Sequence, residues 1–324
     1  MIGSIQALCQ NCTIGPMPHT PEWERMRLYD PSSTHPIRIG ASESAGACGV
    51  SKYDQPLSIY LQKRGELSRD LSPDIEQRLR LGLLMEPVIL TEYTQRTRSI
   101  VTPGQPTYFS IKWPWLSATP DAFATADGQS WIVECKNSSE YMQDRSGEDA
   151  TLFGVDGTDQ VPLDYMFQAQ HQMAVTGFDR VDFAVLVGGS RLNIYTVKRD
   201  EMLIQSIVEA TRQLAEQIVA GTPPEPMYSH PNVARCLKRG LEEGKTVKLP
   251  PDAEKWWNDY RDAKAVEESA KSRSKESMAR LLAATGDAQF ATVGTLKLRR
   301  IVVAPHSYTT TVNKPGHSFM KESN

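Results

Sequence analysis

The sequence predicts an α/β chain in which helices and short strands share one core, followed by a smaller module of one helix and a β-hairpin. Apolar positions recur at helical spacing over 75–97, 163–176 and 201–220. Short β-leaning runs lie over 108–136 and 181–197. Thr222-Pro223-Pro224-Glu225-Pro226 then interrupts the pattern. The expected organisation is an N-terminal arm over 1–36, a core over 37–222 and an appended module over 223–324.

Each element has a local reason. In the proline-rich arm, Thr20 is placed to cap a short helix with Pro21 at its first position. Glycines at 40, 46 and 49 lead into an amphipathic stretch over 56–63. Ser72-Pro73-Asp74 opens the long helix, and Pro87 is expected to kink or break it. Asp127-Gly128 is a hairpin turn signal between the runs 122–124 and 130–136. The stretch 147–160 is polar and reads as a loop. Gly188-Gly189 joins the strands over 181–187 and 193–197, and Gly221 ends the helix over 201–220. Beyond the prolines, 252–284 is a charged helix with Trp256, Trp257 and Tyr260, and 290–303 alternates as strands.

Bulk properties bound the function. The chain has 324 residues and 40% hydrophobic content, enough for a sizeable core. It holds no long apolar run, so a membrane span is not expected. Residues 1–20 have no basic leader before their apolar stretch and do not read as a signal peptide. The net charge of −3, from 36 basic and 39 acidic residues, argues against coating nucleic acid non-specifically. It suits an enzyme that holds cations with carboxylates and gathers its basic residues in one groove. Cysteines at 9, 12, 48, 135 and 236 suggest no disulfide framework, and a reducing, cytoplasmic setting fits better. Cys9-Gln-Asn-Cys12 lacks the second close pair that a four-ligand iron–sulfur cluster needs.

The chemistry concentrates in three pieces: Thr119-Pro120-Asp121, the run Trp131 to Lys136, and Glu86 on the long helix. On a strand, Glu134 and Lys136 share a face, while the Cys135 side chain points away and its carbonyl stays free for a cation. The hairpin brings Asp121 beside them, so two hard oxygen ligands converge as Mg²⁺ prefers. Phosphodiester hydrolysis needs such a set, because the attacking water must lose a proton while charge builds on the phosphate. Lys136 supplies a further positive group there, and Glu86 can complete the metal site. Taken alone, Glu134 and Lys136 read equally well as a solvated ion pair on an edge strand. Asp262-Ala263-Lys264 has similar letters but lies on a helix, where such positions do not face each other.

Two further groups weigh on the choice. Gln168 and Gln172 share a helix face after the Glu134 strand, and His171 between them reads as a surface or structural histidine rather than a ligand or base. Trp23 and Arg27 share another face, and Arg38 precedes Ile39-Gly40-Ala41-Ser42, an arginine and serine beside a glycine turn suited to a phosphate.

With these residues assembled, the chain resembles the lambda-exonuclease family of PD-(D/E)xK nucleases, in its YqaJ-like viral recombinase branch. The matching blocks run in order: Trp23 with Arg27, Ile39 to Ser42, Leu57 to Gly65, Gly82 with Glu86-Pro87, Ala118 to Asp121, Glu134 to Lys136, and Tyr165 to Gly177. The resemblance covers about residues 20–220. It implies a restriction-endonuclease-like core with a mixed central sheet flanked by helices. It also implies Mg²⁺-dependent digestion of one strand of duplex DNA from a 5′ end, with Mn²⁺ as an acceptable substitute. By position, Asp121 and Glu134 would be metal ligands with the Cys135 carbonyl, Lys136 the catalytic lysine, Glu86 the auxiliary acid, and Gln168 or Gln170 a helper. Arg27, or Arg38 given the insert before it, would meet the 5′-phosphate with Ser42 nearby. Implied partners are double-stranded DNA ends, a single-strand annealing protein and further copies of the chain, as a ring. A phage or prophage source in a bacterial cytoplasm is implied as well. The rival readings are an endonuclease or repair nuclease on the same fold, and a catalytically silent DNA-end-binding protein.

Overall fold

The computed structural model describes residues 10–33, 36–68, 72–139, 152–237 and 244–300. Cys9, part of the expected loop and the end of the last expected strand lie outside the described residues.

A five-stranded mixed sheet carries the core. Its order is β3 (Ile100–Pro103), β6 (Ala122–Ala126), β7 (Gln129–Ser138), β8 (Arg180–Val187) and β9 (Arg191–Lys198). All neighbours are antiparallel except β7 and β8, which run parallel with Glu134 opposite Phe183 and Lys136 opposite Val185. A parallel pair needs a crossover, and the helix α5 (Leu163–Thr176) lies in that connection. Asp127 and Gly128 both take positive φ (49° and 75°), as a two-residue turn between twisted strands requires.

A second, four-stranded sheet has the order β1 (Cys12–Ile14), β4 (Tyr108–Ser110), β5 (Leu116–Ala118), β2 (Ile39–Gly40). Through β1 the N-terminal arm is thus part of the fold, and α1 (Pro21–Met26) carries the expected Thr20 cap. After β2 come a single 3-10 turn (Ala41–Glu43), the short helix α2 (Ser44–Ala47) and α3 (Pro56–Lys63).

Strand alternation divides the core. Ile132, Phe183 and Val185 pack toward α5 with Met173 and Phe123. Trp131, Val133 and Cys135 pack on the opposite face against Ile89, Leu90 and Tyr93 of α4 (Pro73–Thr97). Each such side chain, fully buried, contributes about 1.5–3 kcal/mol. Glu134 and Lys136 therefore share the α5 face of β7.

Two expectations are corrected. Pro87 does not break α4, which runs unbroken through it. Leu83 and Pro87 both line an open cleft, so the carbonyl that loses its partner at Pro87 has access to water. The prolines at 223, 224 and 226 do not end the core either: the first compact unit continues to Gly240. Met227 N–H donates to Gln55, His230 bonds the Ser51 carbonyl at 2.9 Å, and Cys236 of α7 (Val233–Leu237) packs with Leu57 and Ile59. These contacts follow α6 (Glu201–Ala220), which ends on left-handed Gly221 as expected.

The second unit, from Leu241 onward, contains α8 (Ala253–Thr285) and the hairpin β10 (Phe290–Val293) and β11 (Leu296–Arg299). No described residue of α8 is buried, and charge pairs such as Lys264–Glu267 and Lys271–Glu267 line its surface. Asp262 and Lys264 lie on this exposed helix, which rules them out as a strand-borne pair. No helix among the described residues is long and apolar enough to cross a membrane.

Candidate active site

The site grows from the start of β6. Asp121 stands just before it, and its Oδ2 accepts the Cys135 backbone N–H at 2.7 Å. That bond staples the Pro120-Asp121 corner to the middle of β7, so the carboxyl lies beside Glu134. Glu134 is nearly fully buried, and both of its oxygens accept hydrogen bonds. Its Oε1 accepts from Lys136 Nζ at 2.7 Å and from Gln168 Nε2, and its Oε2 accepts from Gln172 Nε2 at 2.8 Å. The two glutamines come from one face of α5, a turn apart. Lys136 Nζ also lies 5.0 Å from the centre of the Tyr165 ring, on the same helix.

The electrostatics fit a cation. Burial pushes the Asp121 carboxyl well above the usual carboxylate range, and the charges of Glu134 and Glu86 push it further. Glu86, on the α4 wall, is raised by partial burial and then by Glu134. Lys136 is the opposing charge: burial works to lower its pKa, but Glu134 and Asp121 outweigh it and raise it. The Cys135 thiol is driven far upward by burial and by Asp121, which leaves it inert and only its carbonyl available. Among the described residues, no three His, Cys, Asp or Glu side chains gather tightly enough to cage a metal ion alone. A Mg²⁺-type ion does not require that, since it binds through one or two carboxylates and keeps several waters. Asp121 and Glu134, electrostatically strained against each other, fit such an open-sided site, with Glu86 within electrostatic reach.

A cleft of about 800 Å³ opens onto these groups. Asp121, Glu86, Gln168 and Gln172 line it, with Glu134 directly beneath the glutamines. Trp23, Arg27, Arg38 and Ser42 line it too. Residues read from distant parts of the sequence therefore face one space. The Arg27 guanidinium lies 4.5 Å over the Trp23 ring and 3.3 Å from Glu43 Oε1. Arg38 stacks 4.2 Å over Phe109 and donates to the Pro114 carbonyl. Ser42 is exposed on the 3-10 turn.

Gln170 is not part of this constellation, which corrects its expected role as a helper. Its Nε2 donates to the Lys198 carbonyl at 2.8 Å, and its Oε1 accepts the Asp200 N–H at 2.8 Å. It anchors the start of α6, because two residues along a helix turn it away from Gln168. Of the surface or structural roles expected for His171, the structure shows the second: it is fully buried, within 2.7 Å of Ser44 Oγ, and burial lowers its pKa to about 4.

Sequence reasoning missed Glu43 and Lys63. Both line the cleft and are buried, with Lys63 Nζ 2.8 Å from Glu43 Oε2. Glu43 also accepts the Gly40 N–H at 2.7 Å. Against the penalty of burial, Lys63 and Arg27 hold its pKa down to about 2. A signal for Lys63 existed: it lies one turn after Ile59, on the face of α3 that the apolar pattern marks as buried. Glu43 had none. Gln172 was noticed only for sharing a face with Gln168.

The model of the YqaJ-like viral recombinase domain matches residues 22–179. The uncharacterized protein YqaJ of Bacillus subtilis is 26% identical over 185 residues, 56% of this chain and 54% of that relative. This chain thus spans about half the length of that relative. Among solved structures, an alkaline exonuclease from Laribacter hongkongensis aligns with a TM-score of 0.40 and 17% identity, over 57% of this chain and 89% of that one. The same exonuclease in complex with dAMP aligns with a TM-score of 0.40 and 19% identity, over equal shares. Residues 22–179, which match the model of the YqaJ-like viral recombinase domain, hold every one of the cleft groups described above.

Proposed function

We propose that this chain is a divalent-cation-dependent deoxyribonuclease that digests one strand of linear duplex DNA from its 5′ end. The product would be a 3′ single-stranded tail for an annealing protein in phage-type recombination. The observation that carries this reading is the shared cleft, where acidic groups with the partly buried Lys136 behind them face two arginines and a serine.

Asp121 and Glu134, with the Cys135 carbonyl, would hold Mg²⁺ or Mn²⁺, and Glu86 would act from across the cleft. Such an ion supplies an acidified water and neutralises phosphate charge. Lys136 Nζ orients the attacking water or stabilises charge on the phosphate. Gln168 holds the Glu134 carboxylate in one rotamer, so the ligand is organised before substrate arrives. On the other wall, Arg27 and Ser42 meet the terminal 5′-phosphate, with Arg38 close by. Arg27 is already oriented by Trp23 and Glu43, which lowers the ordering cost of a phosphate contact. Several copies arranged as a ring around DNA belong to the same proposal.

The test is digestion with Mg²⁺ of three duplexes: linear with 5′-phosphate, linear with 5′-hydroxyl, and circular. Rapid loss of the first, slower loss of the second and an intact circle are expected. Cleavage of the circle would establish an endonuclease instead. Metal-independent binding of ends with no nucleotide released would establish a silent end-binding protein.

A further inference from the structure

We propose that Gln172 is a positioning residue whose two amide atoms do different work: the nitrogen locks Glu134, and the oxygen is held for a hydrated divalent cation. The inference rests on the cation site of the proposed function and extends it to a residue outside the acidic set.

The orientation of the amide is set by chemistry. Nε2 donates to Glu134 Oε2 at 2.8 Å, and a reversed amide would place its oxygen against a carboxylate oxygen. Oε1 must therefore point elsewhere. It is buried, the residue being 1% exposed, and it has no hydrogen-bond partner among the described residues. A buried carbonyl left unpaired is costly, and an apolar side chain of the same volume would fill the position without that cost. Gln170, one residue beyond its neighbour His171 on the same helix, shows the ordinary outcome. Both of its amide atoms are paired to backbone.

The missing partner must be a donor. Gln172 lines the cleft together with Asp121 and Glu86. Those carboxylates offer acceptors when ionised, and the Lys136 ammonium is drawn to Glu134. The donor therefore enters with a ligand, and the acidic surroundings select a cationic one. The water shell of a divalent cation supplies O–H donors at the edge of a carboxylate site. Gln172 then couples two events: it holds Glu134 in the ligating rotamer and receives a water of the ion that Glu134 binds.

The test is calorimetric titration of the full chain with Mg²⁺ alone and Mn²⁺ alone, without DNA, for wild type, Gln172→Met and Gln172→Glu. Gln172→Met removes donor and acceptor at similar volume, and its affinity should fall about 10-fold or more, the range for outer-shell partners of metal ligands. Gln172→Glu keeps an acceptor oxygen, so its affinity should equal or exceed that of wild type. Equal weakening in both variants would leave only the bracing of Glu134 and overturn the proposal, as would no change in either, or no cation binding by wild type. If Gln172→Met fails to fold, Gln172→Ala takes its place: a loss of about tenfold in its affinity with retained affinity in Gln172→Glu supports the proposal, and unchanged affinity in Gln172→Ala overturns it. A wild type that shows this pattern yet degrades no DNA would remove the nuclease reading and leave the cation-site assignment standing.

Discussion

Asp121 Oδ2 accepts the backbone N–H of Cys135 at 2.7 Å, so the first acid of the site is stapled to the strand that carries the second. The bond fixes the separation of two carboxyls that repel each other without a cation. In Asp121→Asn the amide oxygen can still accept that N–H, while the charge is gone. The metal-free variant should melt at the same temperature as wild type or higher, because a strained buried acid has been neutralised. Wild type should be stabilised by Mg²⁺, by about 2.7 kcal/mol at a hundredfold excess over its dissociation constant. Asp121→Asn should lose most of that gain together with digestion. Melting curves with and without Mg²⁺ check both, and an unchanged Mg²⁺ shift would remove Asp121 from the cation site.

Lys136→Ala should abolish most digestion while leaving the fold and DNA binding in place. Loss of one preorganised charge-stabilising group costs about 10²–10³ in kcat, or roughly 3–4 kcal/mol. Glu134 stays anchored in the variant by Gln168 and Gln172. Single-turnover digestion beside a DNA-binding titration is the measurement. Full activity in Lys136→Ala would exclude the lysine from the chemistry.

The partly buried Gln168 and the buried Gln170 should separate function from stability. Gln170→Leu deprives the Lys198 carbonyl and the Asp200 N–H of partners, so it should lose about 1–3 kcal/mol of stability with little change in kcat. Gln168→Leu removes one of the two donors on Glu134 Oε1 and should lower kcat at modest cost in stability. Denaturant midpoints and turnover rates for the pair check this. The reverse assignment of effects would contradict the placement of α5.

Acid should destabilise the core in two stages. His171 is buried and neutral, with a pKa near 4 against an ordinary 6.5, because burial penalises its charged form. The unfolded chain takes up that proton first, so stability declines as pH falls from 6.5 toward 4, by about 3 kcal/mol in all. Glu43 is held ionised down to about 2 against an ordinary 4.5, its Lys63 and Arg27 charges overcoming burial. Its contribution is complete above 4.5 and is lost as pH falls from there toward 2. Unfolding free energy against pH for wild type and His171→Gln is the check. The variant should be flatter between 6.5 and 4, and an unchanged slope would assign the acid sensitivity elsewhere.

Much of the architecture was legible because it is written in local chemistry. The α5 and α6 limits follow from helical periodicity and terminal glycines, and the β6–β7 turn from Asp127-Gly128. Of the kink or break expected at Pro87, the break does not occur, because the cost of a proline in a helix depends on what its freed carbonyl meets, which the cleft decides. The proline cluster at 222–226 misled because His230, Asn232 and Cys236 find partners near 51–59, far away in sequence.

By itself, the sequence determined which residue types share a strand or helix face, because those periods are properties of the backbone. It thereby put Glu134 with Lys136 and Gln168 with Gln172. Only the tertiary structure decided that these two faces meet, that Asp121 is tied to the Cys135 N–H, and that Gln170 turns toward Lys198 and Asp200. It alone buried Glu43 between Lys63 and Arg27. Burial, charge pairing and unmet hydrogen bonds belong to contacts between distant segments, and no periodicity along the chain encodes them.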